Sequence, residues 1–76
     1  MISVIFISSD QKIHYPIICK NTDLFSKIER LLYDEYKNYE ETENIFIVEG
    51  IKVNKSKTLE NNNIKNGSVI TLTPFN

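Results

Sequence analysis

The sequence holds no tryptophan and only one cysteine, one histidine, two glycines and two prolines among its 76 residues. One cysteine cannot close an internal disulfide, which excludes a stapled secreted scaffold and points to a reducing, intracellular compartment such as the cytoplasm. With so little glycine and proline there is no linker or low-complexity stretch to mark a second domain. An excess of basic charge is missing too. Nine Lys and Arg face ten Asp and Glu for a net charge of −1, so the broad positive field that carries non-specific nucleic-acid binding is not there, and nucleic acid is not an expected partner. No long hydrophobic run occurs. The apolar opening "MISVIFISSD" has no basic leader and is too short for a signal core or a bilayer span, so no membrane partner is expected either. One domain over 1–76 with a modest core fits this length.

Several short apolar segments punctuate the chain. "SVIFI" is β-branched and aromatic, stops at the polar "SSDQK" and resumes as "IHYPIIC", which reads as a hairpin. Pro16 has no N–H to give a ladder, so the second strand belongs at a sheet edge. "NTD" offers Thr22 or Asp23 as an N-cap for a helix whose Leu24, Phe25, Ile28, Leu31 and Leu32 recur at spacings of three and four. That helix runs to about Tyr36 and frays into the acidic loop "NYEETEN". "IFIVEG" is a third strand that turns at Gly50, and "SVITLT" is the last. Between them, "KTLENNNIKNG" sets three asparagines between the isolated aliphatics Leu59 and Ile64. Asparagine tolerates left-handed backbone angles, so this reads as a pinned turn and not as a ligand loop.

The order strand, strand, helix, strand, irregular segment, strand resembles ubiquitin and its β-grasp relatives over essentially the whole chain. The likeness is best in "FIVEGIKVNKSKTLENNNIKNGSVITL", where Thr58-Leu59, Asn63-Ile64 and Ile70 with Leu72 fall on family positions. The resemblance implies an α+β fold with a mixed four- to five-stranded sheet packed on one helix. Leu59 and Ile64 would plug the bottom of the core. Asn62 stands where the family often has a tyrosine that braces this loop. Conjugated family members close with Gly-Gly, whereas this sequence reads "TLTPFN", which implies a domain that is not a modifier.

In the family, Ile5, Ile7, Tyr15, Ile17, Cys19, Phe46, Val48, Ile70 and Leu72 would face the helix. Strict alternation then turns Val4, Phe6, His14, Pro16, Ile18, Ile45, Ile47, Val69, Thr71 and Thr73 outward. One helix can cover only one face of a sheet, so the outer face would expose a large apolar surface, and such patches mark partner sites. The resemblance places the expected binding residues there: Ile47 at the family's central isoleucine, beside Gly50, Ile45, Thr71 and Thr73, and a second patch of Phe6, Val4 and His14.

Other chemistry is weakly supported. Ser8, Ser9, Asp10 and His14 lie close in sequence, but this hairpin offers no oxyanion hole aimed at a serine. Cys19, on an inward position, reads as a small buried hydrophobe. The acidic set at 34, 35, 40, 41 and 43 lacks calcium-loop spacing and reads as a solvated helix end. No catalysis, metal or cofactor is expected. The expected function is a non-conjugated protein–protein interaction domain of a larger protein, docking through its sheet to another protein or to another domain of its own chain. The alternatives are a homo-oligomer in which two such sheets stack or pair, and a Ras-association or PB1-type adaptor.

Overall fold

The computed structural model describes residues 1–75, with side chains described through residue 74. Five strands form one mixed sheet: β1 (Ile2–Ser8), β2 (His14–Cys19), β3 (Glu43–Val48), β4 (Ile51–Lys52) and β5 (Val69–Phe75), in the spatial order β2-β1-β5-β3-β4. The central pair β1/β5 is parallel and the other pairings are antiparallel. Helix α1 (Phe25–Glu35) crosses one face and buries Phe25, Ile28, Leu32 and Tyr33. This is the α+β, β-grasp-like arrangement expected from the sequence, with β4 as the fifth strand. The question of the tail turns on the Phe75 side chain and on Asn76, which lie outside the described residues.

The core centres on three phenylalanines from three elements. Phe6 of β1, Phe25 of α1 and Phe46 of β3 meet edge to face, with ring centroids 5.0 to 6.2 Å apart. That geometry sets the positive ring edge against the negative ring face. Leu59 and Ile64 are buried at 0% and 2% exposure, as the plug reading expects. Asn63 takes the left-handed conformation at φ 57°. Asn62 braces this loop: its side-chain amide holds the Asn54–Thr58 stretch by three hydrogen bonds of 2.8 to 3.0 Å.

Two expectations about local structure need correction. Neither Thr22 nor Asp23 caps α1: no side chain accepts a capping hydrogen bond from the main-chain N–H groups of its first turn. Instead the Phe25 N–H donates to the Lys57 carbonyl at 3.0 Å, next to a bridge between Leu24 and Thr58, while the Asp23 carboxylate accepts from the Lys20 N–H. A neighbouring segment thus satisfies the helix start that a cap would otherwise serve. Leu24 and Leu31 are exposed, not part of the buried stripe, because the covered face runs through 25, 28, 32 and 33.

The third correction bears on function. Val4 and Phe6 are core residues at 0% exposure, and Ile5 and Ile7 face outward. The register leaves no other choice: Phe6 pairs with Tyr15 and Ile70, and Val4 with Ile17, all on the helix side. Four consecutive apolar residues carry no alternation to set the phase. The one polar residue that could have set it, Ser8, is itself buried, its hydroxyl accepting from the Ile13 and Lys12 N–H groups and donating to Asp10.

Candidate interaction face

The open face of the sheet is built from residues that strand pairing sets side by side. One row crosses all five strands: His14 opposite Ile7, Ile7 beside Thr71, Thr71 beside Ile47, and Ile47 opposite Lys52. A second row joins Pro16, Ile5 and Val69. Ile45 beside Thr73 continues the face on β3 and β5. Neighbouring strands lie about 4.8 Å apart, so Pro16, Ile5 and Val69 touch or nearly touch, while Thr71 and Thr73 stand between the aliphatics of β1 and those of β3. Ile5, Ile7, Ile45 and Ile47 are half-buried against their strand neighbours, while Ile18 and Val69 are exposed at 69% and 46%. Among the described residues, the ionisable groups of the face stand at its rim: His14 on β2, Lys52 on β4 and Glu43 at the start of β3.

Of the eight expected binding residues, Ile45, Ile47, Thr71, Thr73 and His14 share this face. Gly50 does not lie on it. It sits in the two-residue β3–β4 turn with Glu49, both at positive φ (52° and 79°), the backbone that a tight hairpin turn demands. Val4 and Phe6 are on the opposite face, as corrected above, and the residues missed are Ile5 and Ile7. The bulk of Phe6 is the sequence signal that could have found them, since the largest ring of a central strand belongs in the core.

Two polar clusters lie elsewhere. In the β1–β2 loop the Asp10 carboxylate accepts from the Ser8 hydroxyl, from the Lys12 N–H at 3.1 Å and from the Tyr39 hydroxyl at 2.8 Å. These donors hold its pKa down to about 2 and tie the hairpin to the 3-10 turn Lys37–Tyr39. His14 joins no triad with Ser8, whose hydroxyl is turned into the loop on the covered side.

The second cluster lines an open groove of about 860 Å³ beside α1 and the β3–β4 end. There the Tyr33 hydroxyl donates to Glu29 and accepts from Asn44, and Lys55 donates to the same carboxylate oxygen at 2.9 Å. Burial first, then Glu29, pushes the Tyr33 pKa well above its ordinary value. Every group named here has its partner, and no buried side-chain polar atom among the described residues lacks one. The Cys19 thiol is raised by burial and then by Asp23, which keeps it protonated and unreactive. No group of three or more His, Cys, Asp or Glu among the described residues is placed to hold a metal ion, and no described helix is long and apolar enough to cross a membrane. No protein-family model matches this sequence, and a comparison with curated proteins found no match.

Proposed function

We propose that this chain is a ubiquitin-like protein–protein interaction domain that docks a protein partner, or another domain of its own polypeptide, through the open face of its sheet, in an intracellular setting. The observation that carries the reading is the set of aliphatic side chains on four adjacent strands, with Thr71 and Thr73 of β5 between those of β1 and β3 and with ionisable groups only at the rim among the described residues. Covering such a surface removes apolar area from water at about 25 cal/mol per Å², with no central charge to desolvate. The ubiquitin-like assignment is supported by the strand order, by the parallel β1/β5 pair and by the Leu59 and Ile64 plugs.

The test uses two charged substitutions on the face, Ile47→Arg and Val69→Arg. Both variants should melt within a few degrees of the parent, because substitutions away from the core change stability little. Proteins retained from an extract of the source cells by the parent chain should bind each variant about tenfold less tightly or worse, the effect of losing one central apolar contact. Unchanged retention by folded variants would remove the face from consideration. If the captured protein is the chain itself, its sedimentation will depend on concentration and the same substitutions will abolish that dependence.

A further inference from the structure

Strand addition at a free sheet edge is a general way to recruit an extended peptide or a second sheet. β2 is the longer free edge here, and the hydrogen bonds of β1 fix which of its main-chain groups point outward. The Ile5 N–H donates to the Ser68 carbonyl and the Ser3 carbonyl accepts from Gly67, so odd-numbered residues of β1 direct their main chain toward β5. Even-numbered Ser8 donates the other way, to the Ile13 carbonyl. The antiparallel pairs Ser3–Ile18, Ile5–Pro16 and Ile7–His14 therefore exchange no hydrogen bonds. The main-chain groups of His14, Pro16 and Ile18 face the open edge instead. An incoming strand would meet carbonyls at all three positions but N–H donors only at the outer two. At the centre stands a pyrrolidine ring with nothing to donate, and the incoming carbonyl opposite it would be left unpaired against ring carbons.

We infer that Pro16 closes the free edge of β2 to an added strand, so that partners relying on main-chain pairing, including a second copy of this chain, are excluded there. The opposite edge, β4, is only two residues long, too short to seat a strand firmly. A partner that extends the sheet at β2 is thereby disfavoured. The inference rests on the β1–β2 register and not on the docking role proposed above, so either can fail alone.

The experiment replaces Pro16 by valine, a good strand former that restores the donor. Sedimentation and amide hydrogen exchange are followed over a range of protein concentrations. The parent should show exchange at the His14 and Ile18 amides that is fast and independent of concentration. Pro16→Val should dimerise about tenfold more tightly or better, with protection growing at residues 14, 16 and 18. A second variant, Pro16→Val with Ile18→Pro, moves the missing donor two places along the same edge and should return the chain to the parent behaviour. Adding Ile47→Arg separates the two surfaces: edge pairing survives it and stacking of open faces does not. The inference is overturned if folded Pro16→Val stays monomeric with unprotected amides, or if the parent itself protects His14 and Ile18 as its concentration rises.

Discussion

Asn62 shows how much a single polar side chain can hold. Its carbonyl oxygen accepts from the Asn54 N–H while its amide donates to the carbonyls of Asn54 and Thr58. Each such bond contributes about 1 kcal/mol net, so Asn62→Ala should lower the urea-unfolding free energy by about 1–3 kcal/mol. Asn61→Ser should change it by less than about 0.5 kcal/mol, because only its main-chain N–H is engaged. Leu59→Ala should cost about 2–5 kcal/mol as a large-to-small change in the core. Equal, small effects at all three positions would show that this loop is not pinned. The plugs could be read from the sequence because an isolated aliphatic in a polar loop has few reasons to be there except burial. The brace could not, because nothing in three consecutive asparagines says which amide turns inward.

Strand β1 marks the limit of that reading. The hairpin, the edge position of β2, the helix and the last strand all follow from punctuation and periodicity. The facing of β1 does not, since "VIFI" is apolar on both sides, and Ser8 is polar yet buried by the loop it organises. Phe6→Ala should cost about 3–5 kcal/mol and unfold much of a domain this small. Ile5→Ala, on the open face, should cost about 1 kcal/mol. Thermal melts of the two variants decide the facing directly, and the reverse order would restore the first assignment.

The loop after β1 adds a pH dependence. Asp10 titrates at about 2 in the folded chain against an ordinary 3.8, so between those values the unfolded chain binds more protons. The stabilisation is therefore complete above the ordinary value and is lost as pH falls through about 2. The melting temperature should decline across that window. Asp10→Asn should remove part of the slope, with Asp23 and Glu40, also lowered, accounting for the rest.

The whole molecule is a sheet covered on one side. Its core is closed by α1 and the Leu59–Ile64 loop, and the opposite side is left to its aliphatics. Which partner the proposed docking would bring to that side is not legible in either sequence or fold, because apolar surfaces carry no address beyond their shape. The docking proposed above would still leave a signature in how a partner is held. With charge confined to the rim, raising salt from about 0.1 M to about 1 M, which shortens the Debye length from about 10 to about 3 Å, should alter affinity little. The binding heat capacity should be clearly negative. A complex that dissolves as salt rises would instead point to the lysines at 52, 55 and 57 or to the acidic segment from 34 to 43.

The parallel pairing of β1 with β5 also sets an order of events in time. β5 lies between two hairpins, β1–β2 on one side and β3–β4 on the other, and nothing else in the sheet joins them. A chain leaving the ribosome can form each hairpin, but neither has a completed core until β5 arrives to bridge them. The residues of β1 must therefore wait for partners more than sixty positions away, a closure that slows folding. Until then the early hairpin has only α1 to cover one apolar face and nothing on the other, which makes that interval the one in which a nascent chain would depend most on protection from aggregation.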